Sequence, residues 1–193
     1  NRQHFLLVRF KDDGTPAENI VIGADDALQL GHKTIVYQSQ FGLGWIQPGK
    51  GIMFTSVKQG TPNTITLLPD EPMEGTPVDF WIVETKGQTR LFVVRSRFVN
   101  PDGKGVSMFD VNPDGKGVTG GKQYQWVYSY AIGKNGPTLA GKTCVQDPNS
   151  RPCDVVCGAS GGDGVVIWQS ILDREHPFQI VRYAQWKDAG TLD

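Results

Sequence analysis

Hydrophobic residues occur along this chain in short runs that are rich in β-branched and aromatic side chains, and polar clusters separate these runs. The clusters contain Gly, Pro, Asn and Asp, which are the residue types that favour turns. No window of twelve residues shows convincing helical spacing of apolar residues at i, i+3, i+4 and i+7. The pattern therefore predicts eleven strands, over residues 5–10, 19–22, 33–38, 51–57, 64–68, 78–83, 89–94, 105–111, 124–132, 165–171 and 178–186.

Many short strands with short connections predict an all-β fold. Trp45, Trp81, Trp126 and Trp168 are 36, 45 and 42 residues apart, and around the last three a similar phrase occurs. Each phrase is an apolar strand that contains the tryptophan, a polar turn and a second strand. A structural period of about 40–50 residues indicates a β-trefoil, with another barrel or a sandwich as the alternative. The chain length fits one trefoil-like domain over residues 1–193.

The heptad Asn-Pro-Asp-Gly-Lys-Gly-Val stands at residues 100–106 and again at 112–118. Its first four residues suit a type I turn that is followed by a left-handed glycine. The alternative is a calcium loop that starts at Asp110, but its twelfth position, where an EF-hand carries an acidic ligand, is Gly121. Two turns of this kind predict a meander of three strands, over 89–99, 105–111 and 118–130.

Composition and charge exclude several classes of function. The net charge is −1 with 20% charged residues, so the chain has no basic field for nucleic acid. No apolar run approaches the ~18 residues that a membrane helix needs. The Gly42-Leu43-Gly44 stretch lacks the third glycine and the following helix of a dinucleotide site. We therefore expect neither a nucleic-acid partner, nor a membrane partner, nor a cofactor.

The three cysteines, Cys144, Cys153 and Cys157, lie close together in the sequence. Residues 147–150, Asp-Pro-Asn-Ser, favour a turn, which would bring Cys144 and Cys153 together in a disulfide. Three thiols are the alternative. A zinc site is a poor fit because the cysteines lack a second pair and the three histidines are scattered. We therefore expect no metal.

The segment 109–144 resembles the opening of plant Kunitz-type β-trefoil protease inhibitors. That family has an Asp/Asn–Gly turn, a hydrophobic residue, a Gly pair, a Tyr, an Ala-Ile, a Gly-rich turn, a Leu-Thr-Leu-Ala segment and a Cys. Here this opening begins at residue 109 rather than near residue 1, as in a permuted or strongly diverged trefoil. The counterparts are Asp114-Gly115, Val118, Gly120-Gly121, Tyr124, Ala131-Ile132, Gly133 to Gly136, Thr138-Leu139-Ala140 and Cys144.

This resemblance implies a protein that inhibits a serine or cysteine protease with a rigid, substrate-like loop, and that is not itself an enzyme. It also implies a secreted protein or one kept in a vacuole or storage compartment. We expect Arg174, with Asp173 and Glu175 beside it, to form the inhibitory loop, because Pro177 would stiffen one flank and Arg suits a trypsin-like pocket. A solvated hairpin tip explains the same charges. Arg151 is a weaker choice because a proline follows it.

Two other functions remain open. The second hypothesis is carbohydrate binding, in which Trp45 and Trp186 would be exposed platforms for glycans, although single tryptophans in strands usually belong to a core.

The third hypothesis is a chymotrypsin-like serine hydrolase. The stretch 158–162, Gly-Ala-Ser-Gly-Gly, resembles the sequence around that family's nucleophile, and His32, one of Asp70 or Asp79, and Ser160 follow its chain order. A Gly-rich loop between strands explains the same letters.

Overall fold

The computed structural model describes residues 5–22, 30–58, 61–71, 75–85, 88–99, 105–106, 122–146, 151–160, 163–171 and 179–186. These residues form fourteen strands and no helix, so the all-β prediction is confirmed. The strands are β1 Phe5–Phe10, β2 Pro16–Ile22, β3 Leu30–Tyr37, β4 Gln40–Gln47, β5 Gly51–Lys58, β6 Thr61–Pro69, β7 Thr76–Thr85, β8 Gln88–Val99, β9 Gly105–Val106, β10 Lys122–Gly133, β11 Gly136–Gln146, β12 Arg151–Ser160, β13 Asp163–Ile171 and β14 Gln179–Trp186. No helix long and apolar enough to span a membrane is found in this part of the chain.

The chain divides into two compact units, Asn1–Glu71 and Pro72–Asp193. The single domain expected over residues 1–193 stays a prediction. The described strands form four open antiparallel sheets and no closed barrel. A trefoil is built around such a barrel, so the trefoil topology is not confirmed.

The first unit contains the β1–β2 hairpin and a four-stranded sheet in the order β3-β4-β5-β6. Each strand of this sheet pairs with the next one along the chain, which gives a simple meander. The hairpin places alternate residues against the sheet, because successive side chains of a strand point to opposite faces. The resulting core contains Ile20, Ile22, Trp45 and Met53, with Phe5, Leu43 and Val57 packed against it.

The β1–β2 connection is a hydrogen-bonded turn in which Asp13 accepts two bonds from Thr15. The backbone N–H and the hydroxyl of Thr15 donate to Asp13 Oδ1 at 2.9 and 2.6 Å. These two bonds, the hydroxyl first, lower the pKa of the Asp13 carboxyl from its ordinary value. Because the pKa is lowered in the folded state, the ionised carboxylate stabilises the turn at pH values above the ordinary carboxyl pKa. This contribution is lost as the pH falls through the pKa of the folded state.

Replacing Thr15 with alanine is therefore expected to raise the pKa of Asp13 toward its ordinary value. The replacement removes the hydroxyl bond, which lowers this pKa more than the backbone bond does. The change is measured by NMR titration of the Asp13 carboxyl carbon in both proteins. Thr15→Ser keeps the hydroxyl and should keep the low pKa. An unchanged midpoint in Thr15→Ala would show that the hydroxyl is not the cause.

The second unit contains two sheets that pack face to face, as the sheets of a β-sandwich do. One has the order β11-β10-β8-β7 with β9 paired to β8, and the other has the order β12-β13-β14. A hydrophobic cluster joins them. From the first sheet it contains Phe92, Val94, Val127 and Val145, and from the second Cys157, Val166, Trp168 and Ala184.

The meander that the repeated heptad predicted is wrong in its strand order. β8 and β10 pair directly, from Val99 with Lys122 to Thr89 with Ile132, and no strand lies between them. β9 pairs with β8 at Phe98 and Val99, on the edge that β7 occupies further along β8. Residues 107–111, the rest of the expected middle strand, lie outside the described residues, as do both copies of the turn sequence except residues 105 and 106.

Candidate functional site

The β13–β14 hairpin carries the segment in which the inhibitory loop was expected. The two strands pair without a register shift from Gly164 with Trp186 to Ile171 with Gln179. The connection between the last pair is residues 172–178, so Asp173, Arg174 and Glu175 all fall in it and lie outside the described residues. β14 pairs only with β13 among the described strands, so the hairpin stands at the edge of its sheet.

The outward face of this hairpin carries exposed apolar side chains. Ile167 and Tyr183 are directly opposite each other, and Val181, next but one along β14, is opposite Gln169. Their exposed fractions are 46% for Ile167, 74% for Tyr183 and 67% for Val181. We call these three residues the hairpin patch. Val181, the first residue of the patch along β14, is two residues from Gln179, which forms the last pair before the connection.

A second surface is formed by four aromatic residues at alternate positions of β10. Tyr124, Trp126, Tyr128 and Tyr130 share one face because they are two residues apart on a strand. Tyr128 and Tyr130 are buried, whereas Tyr124 and Trp126 are half-buried. The rings of Tyr124 and Trp126 are stacked, with centroids 5.6 Å apart and planes 7° from parallel. We call Tyr124 and Trp126 the aromatic pair.

Basic residues from both neighbouring strands lie beside the row of four aromatic residues. On β8, Arg97 is opposite Tyr124 and Arg95 is opposite Trp126. The Arg95 Nε–H donates to the carbonyl oxygen of Gly75 at 2.9 Å, which holds this buried side chain in place. On β11, Lys142 is opposite Tyr128 and is exposed. The half-buried end of the aromatic row therefore has two arginines beside it, and the exposed lysine is beside the buried Tyr128.

The cysteines show no disulfide among the described side chains. Cys144 is an exposed thiol opposite Trp126, and Cys157 is a buried thiol in the core of the second unit. The Cys153 side chain lies outside the described residues, so the pairing of Cys144 with Cys153 stays a prediction.

Trp45 is not an exposed platform but a core residue, as single tryptophans in strands usually are. Its side chain is 1% exposed and belongs to the core of the first unit, where the β1–β2 hairpin covers it. The ring of Phe5 lies 6.1 Å from the Trp45 ring. The Trp186 side chain lies outside the described residues, so its role stays a prediction. The two residues of the aromatic pair, which the sequence did not suggest as a binding surface, are half-buried.

Each candidate catalytic residue belongs to a different segment of the fold. His32 lies in the first unit with its ring 5.0 Å from the Phe5 ring. Asp70 Oδ2 accepts the Gly49 N–H at 3.0 Å and so stabilises the β4–β5 turn. Asp79 Oδ1 accepts the Phe80 N–H at 2.8 Å beside a bulge in β7. Ser160 ends β12 and pairs with Asp163 across a tight hairpin, as a Gly-rich connection between strands would.

No group of three or more His, Cys, Asp or Glu side chains is placed to bind a metal ion within the described residues. The residues of the alternative calcium loop, including Asp110 and Gly121, lie outside them. Comparison with known proteins gives no family that matches the chain and no significantly similar curated protein.

Proposed function

We propose that the protein acts by binding, as an inhibitor that presents residues 172–178 to a serine protease of trypsin-like specificity. The observation that carries the proposal is the unbroken pairing of β13 with β14 as far as Ile171 and Gln179. This ladder fixes both ends of the connection that contains Arg174. An inhibitory loop needs anchored ends, because a loop that relaxes on binding loses affinity to the cost of ordering.

The hairpin patch favours a protein as the partner rather than a small molecule. Large apolar side chains that are exposed together mark interaction surfaces more often than single ones do. Ile167, Val181 and Tyr183 are contiguous by register and lie on the arms of the hairpin that carries the loop. A protease that takes the loop into its active site would cover this patch, and the apolar contact would add to the affinity.

Arg174 is the residue that we expect to enter the specificity pocket of the protease. Its guanidinium forms paired hydrogen bonds with a carboxylate, which is the group at the base of a trypsin-like pocket. The resemblance to Kunitz-type inhibitors and the trefoil prediction belong to this same proposal. Inhibition does not itself require a trefoil, however. It requires a paired hairpin at the base of the loop, and any rigid β framework can supply one.

Replacing Arg174 with alanine is expected to weaken inhibition of trypsin by about 100-fold or more, since a buried arginine anchor is a typical interface hot spot. The inhibition constant is measured with a chromogenic substrate. Arg174→Lys should retain inhibition, because trypsin-like pockets accept both cations. Arg182, exposed on β14 of the same hairpin, supplies the matched control, and Arg182→Ala should leave inhibition within about twofold.

Two results would contradict the proposal. The first is a folded native protein that does not inhibit trypsin-like proteases at micromolar concentration. The second is inhibition that is equally strong in the Arg174→Ala and native proteins. Mass spectrometry of the mixture separates an inhibitor, which stays intact in the complex, from a substrate that is cleaved after Arg174 and released.

A further inference from the structure

The outer edge of β14 is a surface of the β13–β14 hairpin that is distinct from its outward face. β14 pairs only with β13 among the described strands, so its other edge presents backbone N–H and C=O groups to no described strand. Val181 and Tyr183 point to one face of the sheet and Arg182 points to the other, and all three side chains are exposed. The middle of β14 is therefore open on both faces, and an extended chain can add to its edge through backbone hydrogen bonds.

β14 lacks the features that protect the other edge strands of the described sheets. Proteins protect strand edges with prolines, bulges, charged side chains or very short strands, because an unprotected edge pairs with other chains. Of the other described edge strands, β1 and β3 have irregular pairing and β9 has 2 residues. The remaining ones each contain a proline, at Pro16 in β2, Pro62 in β6, Pro77 in β7, Pro137 in β11 and Pro152 in β12. β14 has 8 residues, regular pairing with β13, no proline and a single charged residue, Arg182.

The sequence of β14 suits pairing with a second copy of the same strand. A copy that is related by a two-fold axis through the sheet runs antiparallel, and its outward side chains lie opposite outward side chains. Two registers give the longest overlap, one centred on Arg182 and the other on Tyr183. The first would place two arginines directly opposite each other, which is destabilising. The second places Tyr183 opposite its own copy and Arg182 opposite Ala184, so two aromatic rings meet at the axis and no like charges do.

We propose that the chain forms a two-fold dimer in which β14 pairs antiparallel with β14 of a second copy, in the register centred on Tyr183. The β12-β13-β14 sheets of the two copies then continue as one sheet. The net charge of −1, from 19 basic and 20 acidic residues, gives little repulsion between copies.

This dimer is compatible with the proposed inhibition but does not depend on it. β14 starts at the connection of residues 172–178, so antiparallel copies have these connections at opposite ends of the joined sheet. Pairing takes place in the plane of the sheet, whereas the side chains of the hairpin patch stand perpendicular to it. Neither the connection nor the outward face of the patch is needed for the dimer.

The test is sedimentation equilibrium of the whole chain in the absence of protease, which measures the mass in solution. We expect a dimer at micromolar concentration. Tyr183→Lys and Tyr183→Glu should each weaken the dimer at least about tenfold, because two like charges replace two rings at the axis. Tyr183 is 74% exposed, so these replacements leave the core intact. An equimolar mixture of the two variants should restore the dimer, since a lysine then lies opposite a glutamate.

Ile167→Lys is the matched control, because Ile167 is exposed on the same outward face but belongs to β13, away from the edge. It should leave the dimer unchanged. Equal weakening by Ile167→Lys would show that the copies meet through the face of the hairpin, and would overturn the proposal. A native protein that stays monomeric, or a mixture of the two Tyr183 variants that does so, would also overturn it. The measurement involves no protease, so failure of the dimer is distinguishable from failure of the proposed inhibition.

Discussion

Replacing Gly42 with alanine is expected to destabilise the first unit by about 3 kcal/mol, because overpacking of a filled site forces its neighbours to move. Gly42 is in β4, opposite Ser56 of β5. A Cβ atom at this position would run into the backbone carbonyl oxygen of Thr55 and would lie 2.6 Å from Cε2 of Phe54. Phe54 is itself buried and its ring contacts Tyr37 edge-on, so it has little room to move away.

Gly133 provides the matched control for Gly42. It also lies in a strand, β10, but a Cβ there would meet nothing nearer than the Gly136 carbonyl oxygen at 4.0 Å. Gly133→Ala should therefore be neutral or stabilising by about 0.5 kcal/mol, since alanine restricts the unfolded chain. Both changes are measured as shifts of the midpoint in urea unfolding. Equal midpoints for Gly42→Ala and the native protein would mean that β4 and β5 are further apart than the structure places them.

Gly42 also explains why β4 is absent from the predicted strands. Glycine is depleted in strands, and the apolar run of β4 is interrupted by Gly42 and Gly44. The turn before β4 gives no signal either. Gln38 and Ser39 have positive φ values of 49° and 58°, which such turns usually assign to Asn or Gly. The close approach that requires a glycine at residue 42 exists only once β4 and β5 are paired. The sequence alone therefore shows β4 only as a weak strand.

β11 and β12 were missed for a related reason. β11 contains Gly136, Pro137 and Gly141, and β12 begins with Arg-Pro-Cys and ends with Gly-Ala-Ser. The glycines and prolines indicated turns, and the cysteines drew attention to a disulfide loop instead. Both strands are extended because their neighbours supply the pairing: β10 for β11 and β13 for β12. Strand propensity is largely a matter of such packing rather than of the backbone alone.

The candidate sites were predictable only where they depend on local sequence. Strong strand signals on both sides of residues 172–178 were enough to place Arg174 in a hairpin connection, and the observed pairing agrees with that placement. The burial of Trp45 depends on the β1–β2 hairpin lying over the four-stranded sheet, which no local pattern specifies. The aromatic pair gains its cationic neighbours through the pairing of β8 with β10, strands that are remote in the chain.

Replacing Trp168 with alanine is expected to destabilise the second unit by about 3–5 kcal/mol, the usual cost of removing a large aromatic side chain from a core. Trp168 is 9% exposed and belongs to the cluster that joins the two sheets of this unit. The adjacent Ile167 points to the other face of β13 and is 46% exposed. Ile167→Ala should therefore cost less than about 1 kcal/mol.

Substitutions at Trp168 and Ile167, which are adjacent in β13, distinguish the scaffold from the proposed protease interface. Trp168→Ala should lower the unfolding midpoint in urea and, in the fraction that remains folded, leave the Arg174-dependent inhibition constant unchanged. Ile167→Ala should lower the midpoint much less than Trp168→Ala does and should raise the inhibition constant, because it removes part of the hairpin patch. Loss of stability on Ile167→Ala comparable with that of Trp168→Ala would show that the outward face of β13 is covered. In that case Ile167 would belong to the scaffold, and the surface offered to a protease would be the loop alone.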